Sequence, residues 1–161
     1  MSSPADAGDL PAGTVERRAA RVLLVDARER VLLFHGCDPS DDTAGSWWFT
    51  PGGGLDPGES PADGAARELR EETGLRVVPA DLGAPVHGRV ATFRFAGGRY
   101  RQTEDFYLLR VEAHDVDTSG FNELENRAVL GHRWWTAAEL QATGDRIYPA
   151  ELPELLEGLI R

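Results

Sequence analysis

The chain has 161 residues, of which 41% are hydrophobic and 27% charged, a composition that suits one soluble globular domain with a buried core. Its net charge of −10 argues against sequence-independent nucleic-acid binding, which relies on a basic surface to displace phosphate counterions. No run approaches the ~20 apolar residues of a membrane span, and the segment Met1 to Gly13 has neither a basic start nor an apolar signal core; the expectation is a cytoplasmic protein without nucleic-acid or membrane partners.

All 17 basic residues are arginine. The guanidinium suits bidentate phosphate contacts, although GC-rich coding is the simpler source of the bias. The one cysteine, Cys37, cannot form an internal disulfide, which fits a reducing compartment.

Residues 1–14 read as a polar tail, and 15–161 as the folded domain. Arg21 to Asp26 and Val31 to His35 are apolar, branched runs split by a polar turn, which predicts two paired strands. Gly36 to Ser46 is a loop rich in Gly, Pro and Asp. A short aromatic strand, Trp47 to Thr50, runs into Pro51 and three glycines that permit close backbone approach. Ser60 as N-cap, Pro61 at the first helical position and Gly74 past the end predict a helix over Pro61 to Thr73. Val86 to Ala96 and Arg99 to Ala113 are long β-like runs joined by Gly97-Gly98, a two-residue hairpin signal. A polar loop from His114 to about Leu130 precedes a short strand, Arg133 to Thr136. Thr136 with Glu139 forms a capping box, and Ala150 to Ile160 closes the chain as an apolar-faced helix. Strands and helices do not alternate simply, so an α/β fold with a mixed sheet and helices packed on it is expected.

The helix Pro61 to Thr73 carries the chemistry. At 3.6 residues per turn Glu68, Glu71 and Glu72 share one face, while Ala62, Ala65, Ala66 and Leu69 form a small apolar stripe for packing on a sheet. Glutamates at i and i+4 repel each other. A hard divalent cation, Mg²⁺ or Mn²⁺, turns that repulsion into coordination, and the absence of nitrogen or sulfur donors beside them disfavours zinc. Arg67, four residues before Glu71, is placed to pair with it. Gly64, in the helix, is explained either by close approach of another segment or as a tolerated position near the helix start.

Gly53, Glu59 and the run Arg67-Glu68-Leu69-Arg70-Glu71-Glu72-Thr73-Gly74-Leu75 together resemble the Nudix box, G-x5-E-x7-R-E-U-x-E-E-x-G-U with U a bulky aliphatic residue. Seven positions demand one residue type, and at usages of roughly 5 to 10% each a chance match at a given start is below about one in ten million. The resemblance implies an α/β/α sandwich and a pyrophosphohydrolase that uses Mg²⁺ or Mn²⁺ to cleave a phosphoanhydride bond of a nucleoside diphosphate-linked compound. The substrates it implies are a nucleoside triphosphate, ADP-ribose, a nucleotide sugar or a dinucleoside polyphosphate. It further implies Glu68 and Glu72 as metal ligands, Glu71 as a further ligand, the Gly53 carbonyl completing the set, Arg67 orienting the cluster and Glu59 supporting the loop. The general base is Glu68 or Glu71, or a residue of a distant loop, where Glu123 and Glu125 are the candidates. Glu125 is favoured, because the loop before Arg133 is long enough to fold over the box helix. A non-catalytic nucleotide sensor and an isopentenyl diphosphate isomerase-like enzyme, which would need Cys37 at the metal, are the alternatives.

Beyond the box, Glu104 interrupts an otherwise apolar strand and is a candidate ligand or substrate contact. Arg101, with Arg89, Arg94 and Arg99, is placed to reach phosphates from the hairpin. Trp48, one of four tryptophans, is a candidate for stacking on a base. The expected partner is a small-molecule nucleotide, and a homodimer is the assembly considered.

Overall fold

The computed structural model describes residues 10–161, so most of the expected N-terminal tail lies outside the described residues. Eight strands form one sheet: β1 (Thr14–Val25), β2 (Val31–Cys37), β3 (Ser46–Phe49), β4 (Gly52–Gly54), β5 (His87–Phe95), β6 (Gly98–Arg110), β7 (Val129–Trp135) and β8 (Ile147–Tyr148). Among the described residues four α-helices accompany them: α1 (Pro61–Thr73), α2 (Glu123–Ala128), α3 (Ala137–Ala142) and α4 (Leu152–Ile160).

The sheet order is β5-β6-β1-β2-β3-β8, with β4 also on β1 and β7 also on β2. The two central strands pair with each other only at Val25 and Val31. Instead β1 runs parallel to β6 from Thr14 opposite Arg99 to Val25 opposite Arg110, and antiparallel to β4, while β2 takes β3 and β7. The expected pair of adjacent strands is therefore the hinge of a mixed, curled sheet. Its branch on β1, β4 and β6 carries the box.

Ala19 to Val25 are all buried except Arg21, a pattern that requires cover on both faces of the sheet. Ala20, Val22 and Leu24 pack with Ala65, Ala66 and Leu69 of α1. Leu23 and Val25 pack with Leu152 and Leu156 of α4 and with Trp135. The result is the α/β/α sandwich that the resemblance implies.

The α1 limits match the expected helix. Ser60 Oγ accepts from the Asp63 N–H, and Gly74, at φ 76°, donates its N–H to the Arg70 carbonyl. A Cβ at Gly64 would stand 2.3 Å from Leu55 Cδ2 and 3.0 Å from Glu59 Oε1, so the Leu55 and Glu59 side chains pack closely on that glycine.

Two expectations are corrected. The β5–β6 turn is Ala96-Gly97, both at positive φ, with Phe95 opposite Gly98; Gly98 is a strand residue, because the Ala96 N–H is held by Asp38 in the first turn position. The stretch from His114 to Leu130 is not all loop: Asn122 and Glu125 form a reciprocal capping box that starts α2.

Gly74 is required twice over, by its left-handed backbone and by the 2.9 Å that would separate an added Cβ from Asp117 Cβ. Replacing Gly74 with Ala is expected to lower unfolding stability by at least about 1–2 kcal/mol, read from urea melts of the two proteins.

Candidate active site

The box loop is held against the sheet by glycine. Gly52 has φ 135°, and a Cβ there would lie 2.2 Å from the Ala20 carbonyl oxygen, so only glycine lets β4 close on β1. Its N–H donates to Glu72 Oε1 at 2.6 Å. A Cβ on Gly53 would lie 2.9 Å from Glu68 Oε1, so the Gly53 backbone runs directly beside that carboxylate.

Glu68 and Glu72 project from α1 at i and i+4, and Glu125 arrives from α2. One carboxylate oxygen from each of the three lies within 4.8 Å of those of the other two. Glu72 is 3% exposed. Burial, and then the charge of Glu68, push its carboxyl well above the usual range. Burial likewise pushes Glu68 up to about 7, with Glu125 and Glu71 acting in the same direction and Arg67 opposing. Converging carboxylates, one buried and two partly buried, with only oxygen donors fit a hard divalent cation, which removes the repulsion on binding.

Arg67 organises the neighbouring side. It donates to both oxygens of Glu59 at 2.8 Å, to Glu68 and Glu71 at 3.2 Å, and to the Gly54 carbonyl at 3.1 Å. The Glu59 hydrogen bonds hold its guanidinium above its ordinary value, and it stays charged. Glu71 is thus turned toward Arg67 and is partly exposed, 38% of its side chain, so the third member of the convergent set is Glu125 rather than Glu71. Glu123 lies exposed at the start of α2.

Glu125 reaches α1 because the segment before α2 is strapped to the helix end. The Thr73 carbonyl accepts from the Asp117 N–H at 2.9 Å and contacts His114 Nε2 at 2.6 Å. A Cβ at Gly120 would meet the Glu71 carbonyl oxygen at 2.4 Å. Phe121 then packs edge-on against Phe34, and the capping box fixes the first turn of α2.

Three residues expected near substrate, Glu104, Trp48 and Arg101, have protein partners of their own. Glu104 is 1% exposed and is taken up by Arg21 at 3.6 Å, Arg89 at 3.0 Å and the Gln102 amide at 2.8 Å. Burial raises its pKa, but Arg21, Arg89 and Gln102 together hold it below the ordinary value. Arg21 in turn donates to the carbonyls of Thr50 and Gly52 at 3.0 and 3.3 Å, so Glu104 connects to Glu72 through Arg21 and the Gly52 backbone. Trp48 stacks on His35 with ring centroids 4.5 Å apart and packs edge-on against Trp135; it belongs to the core beneath α4. Arg101 pairs with Glu16 at 3.4 Å. Arg21 and its grip on Gly52 were not anticipated; an arginine opening an apolar strand, with a glutamate interrupting another, was the available signal.

A mixed sheet sandwiched by helices, with a glycine loop feeding an acidic helix, defines a Nudix-fold pyrophosphohydrolase. The NUDIX domain profile matches residues 8–156, and the chain belongs to that family of hydrolases acting on pyrophosphate bonds. It is 36% identical over 129 residues to an RNA pyrophosphohydrolase of Gluconacetobacter diazotrophicus, covering 70% of each chain. It is 34% identical to an RNA pyrophosphohydrolase of Rhodopseudomonas palustris, covering 85% of this chain and 82% of that one. In fold it is similar to the MutT protein of Methanosarcina mazei Go1, with a TM-score of 0.59, 18% identity and coverage of 94% and 97%. No helix among the described residues is long and apolar enough to cross a membrane.

The raised Glu68 pKa carries a sign. The unfolded chain loses this proton near 4.5 and the folded chain near 7, so the folded state holds more protons between them and its stability falls as pH rises. Without added metal, wild-type stability relative to Glu68→Gln is expected to decline across that window, read from paired urea melts at stepped pH.

Proposed function

We propose that the chain hydrolyses the phosphoanhydride bond of a small nucleoside diphosphate-linked compound with Mg²⁺ or Mn²⁺ held by Glu68, Glu72 and Glu125. The convergence of those three carboxylates carries the reading. The bound cation would supply positive charge against the phosphate oxygens.

Glu68 and Glu72 are anchored on a rigid helix, and Glu72 is further fixed by the Gly52 N–H. The Gly53 backbone is the neighbouring donor. Arg67 restrains Glu68 and Glu71 and keeps the loop carbonyl of Gly54 in place. Glu125 stands on a separate element across from α1, and the carboxylate oxygen that it does not offer to the cation would accept the proton of the attacking water as that water's oxygen bonds to phosphorus. The bridging P–O bond breaks, and the leaving phosphate takes the electron pair. Glu71 is the alternative base, since its side chain is partly exposed and Arg67 contacts one of its oxygens.

A second reading, removal of pyrophosphate from the 5′ end of RNA, is favoured by the names of the relatives. The net charge of −10 favours the small nucleotide, because an RNA chain brings many phosphates to an acidic surface. A panel of nucleoside triphosphates, ADP-ribose, a nucleotide sugar, a dinucleoside polyphosphate and 5′-triphosphorylated RNA, each with Mg²⁺ or Mn²⁺, discriminates the two. Preferential turnover of the RNA would replace the first reading with the second, and no turnover of any member would sink both.

On the best substrate, Glu125→Gln is expected to lower kcat by about 10²–10⁴. Glu72→Gln is expected to abolish metal-dependent turnover with an unchanged circular dichroism spectrum. Near wild-type turnover in Glu72→Gln would remove it from the ligand set.

A further inference from the structure

β5 ends the sheet: it pairs with β6 on one side, and no strand among the described residues lies on the other. Its turn decides which backbone groups face outward. Ala96 and Gly97 form a two-residue turn with Phe95 opposite Gly98, so Phe95 and Gly98 are a hydrogen-bonded pair, and every second residue back from Phe95 bonds inward to β6. The N–H and C=O groups of Gly88, Val90, Thr92 and Arg94 therefore point away from the sheet. Among the described residues no backbone hydrogen bond beyond the sheet reaches them.

Such an edge is a template for another strand, and proteins blunt it with proline, bulges or short length. β5 has none of these: it is nine residues long without proline, its register with β6 is unbroken, and Val90 is 44% exposed. The one exposed charge on it is Arg94. In its own hairpin Arg94 stands opposite Arg99, a like-charge pair that is destabilising. Among the described residues no carboxylate pairs with it.

A second copy of β5, antiparallel and centred on Ala91, satisfies both the open edge and the arginine. Outward groups must pair with outward groups, and this register pairs them from His87 to Phe95. Gly88 then faces the partner's Arg94, Val90 faces the partner's Thr92, and Ala91 faces its own copy across the two-fold axis. A Cβ on Gly88 would lie 4.0 Å from Asp105 Oδ1, so the missing side chain leaves a gap beside that carboxylate. Asp105 has only the exposed Arg18, at 3.4 Å, as its ion-pair partner. Opposed residues share a face of the sheet, and the partner's Arg94 would be two strand spacings from Asp105, ~10 Å between backbones, with glycine between them. A register moved two residues toward the turn sets Arg94 opposite Val90 and runs into the left-handed Ala96. One moved the other way sets Arg94 opposite Val86, before the strand begins. Neither keeps the gap beside Asp105.

We propose that the chain forms a two-fold dimer in which the β5 strands of two copies pair antiparallel about Ala91 and join the two sheets into one. The partner's Arg94 crosses Gly88 to Asp105, and the same contact recurs on the other side of the axis. The dimer goes beyond the hydrolase reading and does not depend on it.

Sedimentation velocity over a concentration series is the test. The wild-type chain is expected to pass from monomer to dimer as concentration rises, and a monomer throughout overturns the proposal. Val90→Pro removes an outward N–H and spares the bonds to β6, so it is expected to stay monomeric with an unchanged circular dichroism spectrum. Dimerisation of that variant with wild-type affinity overturns the proposal. Arg94→Glu brings two carboxylates together and is expected to raise the dimer dissociation constant about tenfold, with Asp105→Arg in the same chain restoring it; this pair decides the matter if the proline variant does not fold. An unchanged constant in Arg94→Glu, or no recovery in the double variant, overturns the proposal. In a Cys37→Ser background, Ala91→Cys places two thiols at the axis, where Cα atoms ~4.5 Å apart permit a disulfide. Mild oxidation is expected to yield a covalent dimer, and its absence in protein that sediments as a dimer puts the interface elsewhere and overturns the proposal.

Discussion

The controlling constraint is the mutual repulsion of carboxylates held out of water. One carboxylate oxygen each of Glu68, Glu72 and Glu125 lies within 4.8 Å of the others, and like charges so close in a partly buried site push one another toward the protonated form. The fold opposes this with fixed donors: the Gly52 N–H on Glu72 and the Arg67 guanidinium on Glu68. Each donor needs its own support. Gly52 is in place because β4 closes on β1 with no side chain between them, and Arg67 because Glu59 takes two of its donors. What is left unbalanced is a demand for positive charge, and a divalent cation matches it.

The box was legible because its constraints are local. Ser60, Pro61 and Gly74 set the ends of α1, the alanines and Leu69 set its buried face, and the glutamate spacing follows from the helical repeat. The strands were legible as elements but not as partners. Nothing in Arg21–Asp26 says that β1 pairs with β6 along its length rather than with β2, since that choice depends on which segments close the core. Glu125 was singled out through loop length, yet α2 itself was hidden because six residues give no apolar period. Only the Asn122–Glu125 capping box marks it.

Polar residues inside strands were the hardest to read. Glu104 stands out in the sequence as a misplaced acid, and a metal or substrate contact is the natural expectation for it. In the fold it is consumed by Arg21, Arg89 and Gln102, three residues from three separate points of the chain, and its influence on the site passes through the Gly52 backbone. Trp48 illustrates the complementary problem. A tryptophan beside a glycine loop suits base stacking, but alternation along β3 turns it toward Trp135 and the core under α4, while Phe49 faces α1. The assignment of Phe49 and Trp48 to opposite faces is fixed only by the register with β2.

The parallel pairing of β1 with β6 joins residues about as far apart as Thr14 and Arg99, and contacts of such sequence separation form late because loop closure precedes any gain from pairing. Arg21 meets Glu104 only across that pairing. During synthesis, the helix that bears the glutamates emerges well before the strand that secures Arg21, and hence before the Gly52 loop has its full support. A chain in which β6 has not yet joined β1 therefore carries the acidic helix without the support that Arg21 gives the Gly52 loop.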